Sequence, residues 1–316
     1  MLDRLLPQLS PLVHELLFLD SNSTDGTIDY ITGLPFPNIR MLPVETGTFS
    51  HSRTRMWGSD NCLSDLVVFF SDDIIPCNNN FLAELVLPVA EGVASASYGV
   101  SLIDPENGDP LRAHRYNNWY LRQPEIIEPL TEAEWSDLAP AEKRKRCNFD
   151  DCAACYNRKV LQELRFPDLP YGEDIGVAKR FITGGHTVAL AKEAKFYHWH
   201  NVSFDYFLRR MCIEQIVVND LFGLLYVKSK VGLLITIALQ VALYSVLAFT
   251  LPMITFKIRF HWLIYSLRYI CADNLGKYIG GLQSESIYGW NIIDVYLLRM
   301  KQSIYGDVLF NSIKRN

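Results

Sequence analysis

The sequence predicts an α/β protein: a doubly wound sheet with helices on both faces, followed by a C-terminal hydrophobic helical region that associates with a membrane. Three observations predict it. Leu66 to Phe70 (LVVFF) is a continuous apolar run of strand length, the pattern of a strand covered on both faces. Polar clusters follow strand-like runs at Asp20 and at Ser71, and open α/β sheets bind ligands beyond the carboxyl ends of their strands. Val231 to Phe256 carries no charge between Lys230 and Lys257, which exceeds the roughly 20 apolar residues that span a bilayer.

The composition supports a real core. Of 316 residues, 49% are hydrophobic and 21% charged, enough for one large domain plus an appendage. A net charge of −5 gives no reason to expect nucleic acid as a partner. Seven cysteines in a long chain read as thiols of a reducing compartment, not as a disulfide framework. The tightest group, Cys147, Cys152 and Cys155, reads as buried apolar cysteine. Leu2 to Leu12 is helix-like, broken by Pro7 and Pro11, and has no signal-peptide pattern.

Along the chain, His14 to Asp20 reads as a strand ending in a Ser-Asn-Ser-Thr-Asp-Gly turn. Strands then alternate with helical stretches as far as about residue 110. Residues 104–146 read as a polar, proline-dotted insertion, and 147–210 return to α/β character. Beyond the uncharged stretch, Phe260 to Cys271 mixes Trp262, Tyr265 and Tyr269 with Arg268, as an interfacial helix does. Basic residues flank both ends of 231–256, so charge does not set its orientation. A span and an in-plane helix both remain open.

Four polar constellations carry the chemistry. Asp20, Asn22 and Asp25 occupy the first turn, where on their own they read first as turn and cap formers and second as partners for a ribose or base. Asp72 and Asp73 follow a buried strand, and adjacent carboxylates there repel unless a cation such as Mg²⁺ or Mn²⁺ is present. Glu173 and Asp174 precede a helix beginning near Ile175, where they stabilise its positive end or act as a general base. His198 and His200 alternate on an extended segment and so share a face.

Taken in order, these segments resemble the family-2 glycosyltransferases, and most of all the bacterial rhamnosyltransferase-like members that build cell-surface polysaccharides. The resemblance covers residues 4–210 or so. Asp20 to Thr27 is similar to that family's D-x-x-S-T-D-G-T, and Phe49 to Arg55 to its F-N-H-G-x-T-R. Phe70 to Pro76 (FSDDIIP) resembles F-T-Q-D-A-I-P. Phe149-Asp150-Asp151 with Arg158 resembles F-D-N…R-R. Phe166-Pro167 through Tyr171-Gly172-Glu173-Asp174 resembles F-P…Y-G-E-D, and Tyr197-His198-Trp199-His200 resembles Y-H-S-H.

The resemblance implies a GT-A fold with a mixed sheet over residues 1–215, and the charge-free composition beyond it implies a helical membrane-associated region over 216–316. It implies a nucleoside-diphosphate sugar as donor, rhamnose among the candidates, and inversion by direct displacement. Asp20, Asn22, Asp25, Arg55 and Asp72 would contact the donor. Asp73, His198 and His200 would hold Mg²⁺ or Mn²⁺. Asp150, Asp151 and Arg158 would lie on the acceptor side, and Asp174, beside Glu173, would be the base. The acceptor would be a glycan or lipid-linked, met at the cytoplasmic face of the membrane through residues 231–272. The family usually opens with one further apolar strand, and here the chain opens at what should be the following helix. That departure keeps a catalytically impaired membrane-anchored scaffold in view, and the hydrophobic tail permits a second alternative, a polyprenyl-phosphate sugar synthase.

Overall fold

A computed structural model describes residues 12–45, 49–169, 171–251, 256–282, 297 and 299–304. All but the last residue of the helix-like stretch at 2–12 lies outside them, as does the last part of the uncharged stretch, 252–255.

The sheet comes in two hydrogen-bonded pieces. β1 (Leu16–Asp20) and β2 (Ile39–Pro43) pair in parallel, linked by α1 (Thr27–Thr32), with Asp20 opposite Pro43. The larger piece runs β3 (Leu66–Phe70), β7 (Ala153–Asn157), β5 (Ala96–Leu102), β8 (Val188–Tyr197), β4 (Ile75–Pro76). A short β6 (Ile126–Ile127) also pairs with β8. This sheet is mixed: β5 and β8 are parallel, whereas β7 is antiparallel to both its neighbours.

Alternation along the strands explains why both faces are covered. In β7, Ala154 and Tyr156 face one core with Tyr98, Phe149 and Phe181; Ala153 and Cys155 face another with Ile74, Phe81, Leu85 and Phe196. The covering helices are α2 (His51–Asn61), α3 (Phe81–Ala90), α7 (Arg158–Leu164) and α8 (Glu173–Thr183). The strand at Leu66 to Phe70 and the helix near Ile175 stand where the sequence predicts them.

The 104–146 segment is more regular than its polar composition predicts. It holds α4 (Pro110–Leu121), α5 (Glu132–Asp137) and α6 (Pro140–Arg146). Local capping accounts for this. Asp109 accepts from the amides of Leu111 (2.9 Å) and Arg112 (3.2 Å), with Pro110 in the first turn. Thr131 and Glu134 form a reciprocal capping box.

Three long helices follow: α9 (Phe204–Phe222), α10 (Lys230–Thr250) and α11 (Phe256–Gly281). α11 packs closely on α9 because two of its residues lack side chains. A Cβ at Gly276 would stand 2.5 Å from the Leu208 carbonyl oxygen, and one at Gly280 2.4 Å from that of Cys212. Among the described residues, α10 is the one helix long and apolar enough to cross a membrane.

Candidate active site

Two clusters lie at the carboxyl end of β3. The first joins the loop after β3 to the segment after β8. Asp73 Oδ2 is 2.8 Å from His200 Nε2 and 3.3 Å from His198 Nε2, and the two imidazole nitrogens are 3.1 Å apart. The ligand-capable atoms of all three residues lie within 4.8 Å of one another. Asp73 Oδ1 is buried with no hydrogen-bond partner. The hydrogen bond with His198 holds the Asp73 carboxyl below its usual range, against the opposing effect of burial. Burial disfavours the charged form of His198, yet the hydrogen bond and charge of Asp73 prevail and raise its pKa. On the far side of the ring, His198 Nδ1 is 3.5 Å from the Cys152 sulfur, which fixes the orientation of the imidazole.

The set fits a divalent cation. Two imidazole nitrogens and a carboxylate oxygen converge on one point, and an unpaired second carboxylate oxygen stands beside it.

The second cluster is acidic around one cation. Arg55, from α2, donates to Glu173 Oε1 at 2.6 Å, and its Nε stands 3.9 Å from Asp151 Oδ2. Tyr156 of β7 donates its hydroxyl to Asp151 Oδ1. Asp151 is 2% exposed, and its Oδ2 makes no hydrogen bond. Burial pushes its pKa up to about 7, although Arg55 pulls the other way. Asp174 is lifted well above the ordinary carboxylate range, first by burial and then by Glu173, Asp151 and Asp150. The Arg55 guanidinium stays charged because Asp151 and Glu173 outweigh its desolvation. Gly172 caps α8 at φ 71°, a left-handed conformation that sets the angle at which Glu173 and Asp174 enter the helix.

The other sequence candidates fall as follows. Asp20 closes its own turn, accepting from the amides of Asn22 (2.8 Å) and Ser23 (3.0 Å). Asn22 takes a left-handed φ of 72° there, and Asp25 accepts from the Thr27 amide at 3.1 Å. Asp72 is exposed beside Asp73. Asp150 accepts from the Cys152 amide at 2.9 Å. Arg55 is brought to the acidic cluster, not to the turn at Asp20. Arg158 is not brought to either cluster. It follows β7 at the end where Asn157 faces Leu66, and donates to the Cys62 carbonyl at 2.9 Å. Asp151 precedes the other end of β7, where Ala153 faces Phe70, so the length of the strand, about 13 Å, separates them.

Sequence reasoning misses Tyr156 and Cys152 as partners of the two clusters, because both sit inside apolar runs. It also misses Arg112, whose guanidinium stacks 3.3 Å from the Tyr269 ring centroid and 4.8 Å from that of Trp199.

A mixed sheet carrying a carboxylate–histidine trio and a buried acidic cluster at one strand end defines a class. The profile of glycosyl transferase family 2 matches residues 1–165, more than half of the chain, and the chain belongs to that family. Its fold is of GT-A type. Among curated proteins, it is 27% identical over 190 residues to the O-antigen chain rhamnosyltransferase RfbN of Salmonella typhimurium and 28% identical over 190 residues to WbaN of Salmonella anatum, also an O-antigen chain rhamnosyltransferase. Each match covers 59% of this chain and 57% of the relative, so the chain spans little more than half the length of these relatives. Among solved structures, the mannosyltransferase PcManGT from Pyrobaculum calidifontis, in complex with GDP-Man and Mn²⁺, aligns at 13% identity with a TM-score of 0.47, covering 95% of this chain and 74% of that one. S. aureus TarS with UDP-GlcNAc aligns at 14% identity and a TM-score of 0.47, covering 88% and 86%.

Proposed function

We propose that the chain is an inverting glycosyltransferase that moves a sugar from a nucleoside-diphosphate sugar to a lipid-linked or cell-surface polysaccharide acceptor. Rhamnose is the sugar that the named relatives favour. One observation carries the reading: the Asp73–His198–His200 trio and the Glu173–Asp174 pair stand at one end of the same sheet. Asp73, His198 and His200 would hold Mg²⁺ or Mn²⁺, and when bound the ion supplies positive charge to the departing diphosphate.

The chain's own residues do the rest. Asp174 takes the proton of the attacking acceptor hydroxyl, and its raised pKa makes it a stronger base than an exposed aspartate. Glu173, paired with Arg55, adds to the basicity of that carboxyl from the first turn of α8. Asp150 and Asp151 border the acceptor side. Asp20, Asn22, Asp25 and Asp72 line the donor side, where amide-rich turns accommodate a ribose or base. The catalytic part is residues 1–215. Residues 216–316 attach the enzyme to the cytoplasmic face of the membrane, where a lipid-borne acceptor is concentrated.

Isothermal titration with UDP-, GDP- and dTDP-sugars, with and without Mn²⁺, tests this. Metal-dependent binding of one donor is the expected result. A folded sample that binds none of them overturns the transferase reading.

A further inference from the structure

We propose that α10 lies in the plane of one bilayer leaflet, not across the bilayer, on a surface of anionic lipid headgroups. This rests on the membrane attachment proposed above and adds its geometry. α10 is held along its length by α11, from Gln240 beside Asn274 to the Phe249 carbonyl, which accepts from Arg259 at 2.8 Å. α9 precedes it and α11 follows it, and α11 packs on both, closing on α9 at Gly276 and Gly280. Gln240 accepts from the Asn274 amide at 3.0 Å, and Tyr244 and Ala248 are buried against Leu111 of α4 and Ile270 of α11. The Arg115 guanidinium of α4 stands 5.2 Å from the Tyr244 ring. A crossing helix would carry Arg115 and the capping Asp109 into hydrocarbon, where charge is strongly disfavoured. Nor does α11 form the second limb of a hairpin, since Arg259, Arg268, Asp273 and Lys277 lie within it.

The opposite flank of α10 is bare and apolar. Val231, Ile235, Leu239, Val246 and Phe249 recur near helical spacing, and Leu239 is 67% exposed. The bare face continues on α11 with Phe256, Phe260 and Ile264. Apolar surface of this extent marks an interaction site. Charge identifies the occupant. From Asp220 to Asp273 no acidic residue intervenes, whereas Lys228, Lys230, Lys257, Arg259 and Arg268 are basic, in a chain of net charge −5. Basic residues edging an apolar helical face match a leaflet of anionic lipid.

The seating also aims the site. The Tyr265 ring lies 5.5 Å from Trp262 and 6.1 Å from Trp199, the residue between His198 and His200. Aromatic side chains therefore step from the lipid-facing helix to the histidine segment. An acceptor carried in the leaflet reaches the site without leaving it.

Depth measurement on the full chain tests the geometry. In a Cys77→Ser background, a fluorophore is attached at Val231→Cys, Leu239→Cys or Phe249→Cys, all on the bare flank. The protein is then bound to vesicles of phosphatidylcholine with added anionic phosphatidylglycerol, carrying nitroxide lipids of set depth. Equal, shallow quenching at all three positions is expected. Ile235→Glu with Leu239→Glu should weaken vesicle binding at least about tenfold with the circular dichroism unchanged, because both side chains are exposed. A deep centre at Leu239 with shallower flanks overturns the in-plane geometry and leaves the attachment standing. Absence of vesicle binding overturns both. Equal binding to pure phosphatidylcholine overturns the anionic partner.

Discussion

Arg55 donates to Glu173 across 2.6 Å and reaches Asp151 at 3.9 Å, so one guanidinium joins α2, α8 and the segment before β7. The motif that contains Arg55 and the motif that contains Glu173 are 118 residues apart in sequence and form one unit in space.

Removing that cation leaves two buried carboxylates uncompensated. Arg55→Ala should destabilise the fold by about 3–5 kcal/mol, the range for breaking a buried pair from one side. Arg55→Lys should recover only part, because an ammonium lacks the fork that reaches two carboxylates. Urea denaturation of both variants checks this.

Asp151 gives stability a pH dependence of known sign. Burial raises its folded pKa from 3.8 to about 7. A folded pKa above the unfolded one means that the folded state holds the proton more tightly. The stabilisation is therefore complete below 3.8 and lost as pH rises through about 7. Melting temperature should fall between about pH 4 and about pH 7, and Asp151→Asn should flatten that slope. A steeper slope in the variant would sink the assignment.

Asp174→Asn should abolish transfer, by at least about a hundredfold for loss of a general base. Donor affinity should stay within about twofold, since the asparagine is isosteric and lies outside the histidine trio. Titration and a transfer assay on the same preparation separate the two effects.

The histidine trio should be addressable on its own. Asp73→Asn and His200→Ala should each weaken Mn²⁺ binding at least about tenfold, with unchanged circular dichroism. His200 is exposed, so its removal leaves the core intact. Calorimetric titration with Mn²⁺ reads this without any donor present.

Asp109 supports α4 from a fully buried position. It caps the helix through two amides and accepts from the Ser266 hydroxyl of α11 at 2.8 Å. Asp109→Ala should cost about 2–3 kcal/mol, the sum of a lost cap and a stranded hydroxyl. Ser266→Ala should cost less, because the cap survives. The difference in melting temperature between the two measures the cap.

The elements legible in the sequence are those written locally. Leu66 to Phe70 is apolar throughout because it is covered on both faces, and it is a strand over those residues. The charge-free run from Val231 announces α10 by length alone. His198 and His200 share a face because extended backbone alternates. What was not legible depends on contacts distant in sequence. Nothing near Arg55 signals that its partner is Glu173. Arg158 carries a family-like arginine, but β7 runs antiparallel to β3 and delivers it to the far end. The polar composition of 104–146 masks its helices, whose starts are written only in the caps Asp109-Pro110 of α4 and Thr131-x-x-Glu134 of α5.

The division of the sheet has a consequence for how the molecule opens. Among the described residues, no ladder joins β1 and β2 to the larger sheet. An isolated strand pair is marginal in water, so the turn at Asp20 rides on a unit that unfolds locally before the rest. Backbone amides of β1 should exchange with deuterated solvent much faster than those of β5, buried at the centre. A ligand gripping that turn would slow this exchange selectively and leave the central strands unchanged.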